Sequence, residues 1–321
     1  MGAGQGDITF TRVSDCYNMS KAVLVVNPTA GGGRSVRAEQ VVIKTLADVG
    51  IDCEVVRTQN PGDGIAAARE ATRSGCELVL VAGGDGTINE VINGMVGSNA
   101  ALGIIPVGSV NVLARDLGIP LCISEAVEVI ASGTIRRMDL GVANGRYFSL
   151  MAGIGFDATV VASVPRSVKD LIGSSAYVLK AVEVFSKYKA TKVFLDMPED
   201  VGGGYEARAF LVVVANVSTY TYNLRIAPSA VPNDGLLDVC VFERSITDKI
   251  GFISQVSQVF INRHLYHKAV RYFRTPWVVV RSEPNVWVQL DGDVCGTTPV
   301  EIFVVPSALS VIVPSENSRR R

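Results

Sequence analysis

The chain has 321 residues, of which 48% are hydrophobic and 19% charged, with a formal net charge of -1. That length suits two domains of about 150 residues, and the composition supports a sizeable core and excludes extensive disorder. The near-neutral balance argues against a nucleic-acid partner.

Residues 1–20 are polar and aperiodic and read as a flexible tail. Lys21–Asn27 is a short β-branched run, the pattern of a strand buried on both faces. A glycine-rich turn and a helix over Ser35–Val49 follow, then a strand at Ile51–Thr58 and a helix at Gly64–Ser74. Leu78–Ala82 is a third strand, followed by a second glycine turn and a helix from Ile88. Leu102–Val107 is a fourth strand and Asn111–Leu117 opens another helix. Ser124 reads as the N-cap of a helix over Glu125–Ala131. Strands alternating with helices at this spacing predict a parallel α/β domain over residues 21–137.

The texture changes near Arg137. Short strand-like runs follow at Leu140–Ala143, Tyr147–Met151, Lys192–Asp196, Ala209–Asn216, Leu237–Phe242, Trp277–Arg281, Val286–Leu290, Val300–Val305 and Leu309–Val313. Asn144-Gly145, Asn233-Asp234-Gly235 and Asp291-Gly292 are turn-formers between them. Helical patches interrupt the series at Ser174–Tyr188 and Thr247–Asn262. Residues 138–307 therefore read as an antiparallel β-rich domain, and residues 315–321 as a tail.

No apolar run reaches the 18 or so residues of a spanning helix, and no secretory signal pattern is expected at the N-terminus. Six scattered cysteines without a C-x-x-C pair suit free thiols in a reducing, cytoplasmic setting. The mean hydropathy of +0.31 fits a large core or a surface that rests on a membrane.

Three loops carry chemistry. Asn27-Pro28-Thr29-Ala30-Gly31-Gly32-Gly33-Arg34 follows the first strand, where exposed amides and a helix N-terminus make an anion site. Arg34 could add a charge-assisted bond to a phosphate. Gly83-Gly84-Asp85-Gly86-Thr87-Ile88-Asn89-Glu90 follows the third strand. Its glycines admit a ligand closely, Asp85 can hold a water or a metal near phosphates, and Thr87 can cap the helix while donating to a phosphate. Gly108-Ser109-Val110-Asn111 follows the fourth strand. All three lie at the carboxyl ends of consecutive parallel strands, the ligand-binding edge of open α/β sheets.

Asn27-Pro28 with Gly31, Gly83–Thr87, Gly108-Ser109 with Asn111, Asn233-Asp234-Gly235 and Asp291-Gly292-Asp293 stand in the order found in the diacylglycerol kinase / sphingosine kinase superfamily. The chain resembles its soluble bacterial lipid kinases from about Lys21 to Pro314. The resemblance implies an α/β nucleotide-binding domain, joined by the C-terminal strand 308–314, beside an antiparallel β-sandwich domain. It implies ATP and Mg²⁺ as cofactors and a lipid substrate met peripherally at the membrane surface by a cytoplasmic enzyme, with homodimer formation left open.

By the same resemblance Asn27–Gly31 contacts ATP, Gly83–Thr87 holds its phosphates, and Thr58 and Ser109 line the site. Asp234 with the carbonyls of Val231 and Leu236 would bind Mg²⁺ through hard oxygen ligands. Asp291 or Asp293 would take the proton of the lipid hydroxyl as it attacks the γ-phosphate. Ser109 stands where the family has Thr, Asp293 where it has Glu, and Val112 where diacylglycerol kinases have Asp. Acceptors to weigh are therefore diacylglycerol, a sphingoid base and ceramide. A kinase for a soluble cofactor such as NAD and a non-catalytic lipid-binding protein are the alternatives.

Other features read as structural. Gly153-Ile154-Gly155-Phe156-Asp157-Ala158 imitates a dinucleotide fingerprint but reads as a turn. His264 and His267 read as surface residues, and Asp238 as an outward strand residue. Arg136-Arg137, Lys187/Lys189/Lys192 and the His264–Arg274 stretch could meet anionic headgroups.

Overall fold

The computed structural model describes residues 11–12, 21–48, 50–164, 174–245 and 248–315. Most of both expected tails, and the ends of two expected helices at Val49 and Thr247, lie outside the described residues.

The first half runs β1 (Thr11–Arg12), β2 (Lys21–Val26), α1 (Arg34–Asp48), β3 (Asp52–Arg57), α2 (Asp63–Arg73), β4 (Leu78–Gly83), α3 (Asp85–Met95), β5 (Ala101–Pro106), α4 (Val112–Asp116) and α5 (Ile123–Ser132). Strands β3, β2, β4 and β5 pair in parallel in that order. Successive side chains of a strand point to opposite faces, and β2 is apolar on both. Val23 and Val25 join the core with Ile88, Val91 and Ile92 of α3, while Leu24 and Val26 join Ala38, Val42 and Leu46 of α1. This is the expected doubly covered α/β layer.

The second half runs β6 (Thr134–Ala143), β7 (Arg146–Phe148), β8 (Met151–Gly155), α6 (Phe156–Ser163), α7 (Ser174–Lys187), β9 (Thr191–Asp196), β10 (Gly204–Ala215), β11 (Thr219–Thr221), β12 (Leu224–Arg225), β13 (Leu237–Glu243), α8 (Lys249–Val259), β14 (Val270–Thr275), β15 (Trp277–Glu283), β16 (Trp287–Leu290), β17 (Asp293–Thr297) and β18 (Val300–Val313). The ladders among β8–β10 and β13–β17 are antiparallel. A second core lies between their facing sides, with Val212, Val214, Ile154 and Leu290 against Leu195, Val278, Val280 and Ile302.

Strand β18 serves both halves. The expected strands at residues 300–305 and 309–313 form one strand with an irregularity between Val305 and Leu309. Its first part pairs with β15, its last part pairs in parallel with β5, and β6 runs antiparallel along both. Asp139 of β6 fixes the irregularity, because its Oδ1 accepts from the Ser307 amide at 2.7 Å, where Ser307 has φ +52°.

Several expectations change. The helix after the second glycine turn starts at Asp85, so Gly86 and Thr87 lie in its first turn. Cys122, not Ser124, occupies the N-cap of α5. The Gly153–Ala158 stretch is a strand running directly into α6, not a turn alone. Asp238 is fully buried, and Tyr272 and Arg274 on the neighbouring strand both meet its Oδ1, while its Oδ2 has no hydrogen-bond partner. His264 is also fully buried, stacked on Phe242, with Nε2 2.9 Å from the Ile226 carbonyl oxygen. Cys53, Cys76, Cys122, Cys240 and Cys295 are free thiols, and no described helix is long and apolar enough to cross a membrane.

Burial pulls the His264 imidazole below its ordinary value, partly offset by the Ile226 carbonyl. The unfolded chain then binds a proton near pH ~6.5 that the folded chain resists, so stability falls as the pH drops through that range. His264→Gln is expected to flatten the fall in melting temperature between about pH 7 and 5, measured by thermal denaturation. A slope equal to that of the wild type would remove His264 as its source.

Candidate active site

The three loops meet at the carboxyl edge of β2, β4 and β5. Gly31 lies so close to the third loop that a methyl group on it would stand 2.1 Å from the Val107 carbonyl oxygen, and its φ is +64°. A methyl group on Gly108 would stand 2.5 Å from the Gly84 Cα. Backbone thus packs on backbone between all three loops, a proximity that only glycine permits.

Arg34 cross-braces them. Its Nη2 donates to the carbonyls of Val107 at 2.9 Å and Gly108 at 3.0 Å, and its Nε to Gly31 at 3.3 Å. The guanidinium expected at a phosphate therefore works on the loop frame. Asn27 Nδ2 donates to Thr87 Oγ1 at 3.0 Å, and Asn27 Oδ1 accepts from the Thr29 amide and hydroxyl. Ser35 Oγ donates to the Pro28 carbonyl, and Ala30 opens the 3-10 turn Ala30–Gly33. Thr58 follows β3 and bonds to Val26, beside the first loop.

Asp85 opens α3 and accepts from the Leu113 amide at 3.3 Å, which ties the second loop to α4. Burial pushes its carboxyl upward, while the amides of Val112, Leu113 and Asn111 pull it back. Asn111, in the left-handed region at φ +55°, donates to the Gly108 carbonyl, and its buried Oδ1 has no hydrogen-bond partner. Ser109 is exposed at the tip of this loop. A helix N-terminus and glycine amides, all donors, suit a polyphosphate group, whereas the unpartnered Asn111 oxygen suits a hydroxyl or amine donor.

The rest of the second loop faces elsewhere. Ile88 is fully buried in the core, so its side chain cannot reach a nucleotide. Glu90 accepts from the amides of Gly62 and Gly64 at 2.9 and 3.1 Å and so caps α2. Asn89 donates across 202 residues to Asp291 Oδ2 at 2.8 Å.

Asp291 and Asp293 are not equivalent. Asp291 Oδ2 accepts from Asn89 and from the amide and hydroxyl of Ser149, and Oδ1 accepts from the amides of Leu150 and Met151, all within 2.8–3.0 Å. Burial pushes its carboxyl upward and these donors pull it back. Asp293, two residues on, is 44% exposed and pairs with Arg146 Nη2 at 2.8 Å. One carboxylate is fixed in place and the other is accessible.

The expected metal loop is organised differently. Asp234 Oδ1 accepts from the Leu236 amide at 3.1 Å, and the Val231 carbonyl accepts from the Asn233 amide. Asp234 Oδ2 pairs with the Arg274 guanidinium, whose Nε also lies 3.3 Å from Asp238 Oδ1. A side-chain cation already occupies the place beside this carboxylate pair, so the residues present do not fit an added divalent ion.

Sequence reasoning missed Arg146, Ser149 and Asp139, and offered Arg274 to headgroups where the fold pairs it with Asp234 and Asp238. A buried Asp in the apolar run Met138-Asp139-Leu140 was a readable signal. Arg146 and Arg274 gain meaning only from strand pairing.

Residues 21–143 match the family model described as the diacylglycerol kinase catalytic domain, and residues 151–313 the one described as the YegS C-terminal NAD kinase beta sandwich-like domain. A diacylglycerol kinase of Bacillus subtilis (strain 168) is 30% identical over 305 residues, 94% of this chain and 99% of that protein. One from Staphylococcus saprophyticus is 28% identical over 298 residues, 92% of this chain and 96% of that protein. The crystal structure of a diacylglycerol kinase from Bacillus anthracis str. Sterne shares the fold, with a TM-score of 0.71 at 24% identity, over 92% of this chain and 98% of that one.

With Arg274 in place, Mg²⁺ without nucleotide is expected to raise the melting temperature by less than about 2 °C. Arg274→Met leaves two carboxylates uncompensated, at a cost of about 3 kcal/mol, and Mg²⁺ should restore part of that loss. A clear Mg²⁺ stabilisation of the wild type, abolished in Asp234→Asn, would show that the loop binds the ion despite Arg274.

Proposed function

Because the chain belongs to the diacylglycerol kinase family, a family of lipid kinases, we propose that it transfers the γ-phosphoryl group of Mg-ATP to a lipid hydroxyl, with Asp293 as general base. The observation that carries the assignment is the division of labour between Asp291 and Asp293. A base must be reachable by the acceptor hydroxyl. Asp293 is exposed enough to receive a proton, whereas every oxygen of Asp291 already accepts two or three hydrogen bonds.

The remaining parts fit phosphoryl transfer, in which positioning and charge stabilisation supply most of the catalysis. The amides around Gly83–Thr87 and the N-terminus of α3 hold the phosphates. Asn89 joins that same helix to the Asp291 turn, so donor and base sit on one braced frame. Arg146 holds the Asp293 carboxylate and brings a cation to the reacting edge. The lipid hydroxyl loses its proton to Asp293 as its oxygen attacks phosphorus in line and ADP departs. The relatives' names favour diacylglycerol as acceptor, and Val112 keeps sphingoid bases and ceramide under test.

Labelled ATP offered with diacylglycerols, sphingoid bases, ceramides and NAD decides among the acceptors. Failure to label any lipid, in a preparation that binds ATP, would refute the lipid kinase reading. Asp293→Asn is expected to lower kcat by about 10²- to 10⁴-fold with ATP binding retained and the fold intact. Asp291→Asn is expected to lower thermal stability by about 3 kcal/mol, because an amide group would then face the Ser149, Leu150, Met151 and Asn89 donors. A wild-type rate in Asp293→Asn would transfer the base to another residue.

A further inference from the structure

Helix α8 is apolar on two sides. One side packs inward through Phe252, Gln255 and Val259, with the Phe252 ring 4.8 Å from that of Phe210. The other side and the turn beyond it are uncovered. Ile250 is 73% exposed, Ile253 55%, Phe260 65%, Ile261 62% and Tyr266 85%. Isolated exposed apolar residues need no explanation, but a contiguous group on one element marks a contact surface.

The charges along this stretch are of one sign, and the acids beside it, Asp248 and Glu183, are paired with Arg244 and Lys180. From Lys249 to Ser282 the sequence contains no Asp or Glu, although the whole chain carries -1. Arg271, Arg274 and Arg281 within this stretch pair with carboxylates elsewhere. Lys249, Arg263 and Lys268 flank the apolar group, with Arg263 and Lys268 exposed. A second copy of the chain meeting this face about a two-fold axis would oppose these cations with themselves. An apolar face rimmed by Lys and Arg has the chemistry of an interfacial helix on anionic lipid.

We propose that α8 and the turn through Lys268 form the surface by which this protein rests on an anionic bilayer, with Ile250, Ile253, Phe260 and Ile261 entering the acyl boundary. The surface connects to the reacting edge through direct contacts. Phe252 packs on Phe156, the first residue of α6. The next residue, Asp157, accepts from Gln289 Nε2 at 2.8 Å, and Gln289 Oε1 accepts from the Gly292 amide at 2.7 Å. The docking helix thus leans on the element that holds the Asp291–Asp293 turn. The proposal takes its purpose from the lipid kinase reading, but vesicle binding is measured without turnover, so either can fail alone.

Co-sedimentation of the full chain with vesicles of phosphatidylcholine, alone or mixed with phosphatidylglycerol, tests it. The wild type should bind the mixed vesicles more tightly. Ile253→Glu and Phe260→Ser should each weaken that binding at least about tenfold. Arg263→Gln with Lys268→Gln should weaken it on mixed vesicles only, by about fivefold per charge removed. Melting curves like the wild type's and unchanged turnover of a short-chain, water-soluble acceptor would place the loss at docking. Equal vesicle binding by wild type and variants would overturn the proposal, as would no binding by the wild type. So would a sedimentation shift from dimer to monomer in Ile253→Glu with vesicle affinity unchanged, which would make the face a protein interface.

Discussion

The buried carboxylate of Asp291 is the constraint on which the site depends. An ion removed from water must find its full set of donors in the protein. Asp291 finds them in the backbone and hydroxyl of residues 149–151 and in the side chain of Asn89. Those donors come from β8, from the turn before it and from α3, elements of both halves of the chain. The two halves are therefore tied together by one network, and each donor that leaves weakens the compensation of the Asp291 carboxylate. Asn93 of α3 adds a second tie, exchanging hydrogen bonds with the backbone of Tyr147 in β7.

The three glycine loops rest on a similar economy. Their shape comes from main chain packed on main chain at Gly31, Gly84 and Gly108, braced by Arg34. A surface of amides set by packing needs no reorganisation when a polyanion arrives, the condition under which fixed dipoles are most effective.

The parallel half was legible because its signals are local. The runs around Leu24, Leu80 and Ile104 are apolar on both faces, and glycines punctuate the strand ends. The resemblance likewise placed Gly83–Thr87 and Asp291–Asp293 together before any geometry was known. Elements defined by a distant partner were not legible. Val270–Thr275 is too basic to look like a strand until Arg274 meets Asp238 across the ladder. His264 and Asp238 look like surface residues until a carbonyl meets one and a tyrosine the other inside the fold. The unequal surroundings of Asp291 and Asp293 were also hidden, since neighbouring acids in a turn look alike in one dimension.

Strand β18 has a consequence for how this protein can be divided. The sequence separates cleanly into two matched segments, 21–143 and 151–313, which invites treatment as two exchangeable modules. Yet the last strand of the second segment is also the outer neighbour of β5 and the long partner of β6, both in the first. Cutting the chain between the segments would uncover the edge of β5 along an apolar sheet, a surface that pairs with whatever strand is offered. Inheritance in this fold is modular on paper only. A recombined chain must exchange β5, β6 and β18 together, or it begins life with an unpaired edge.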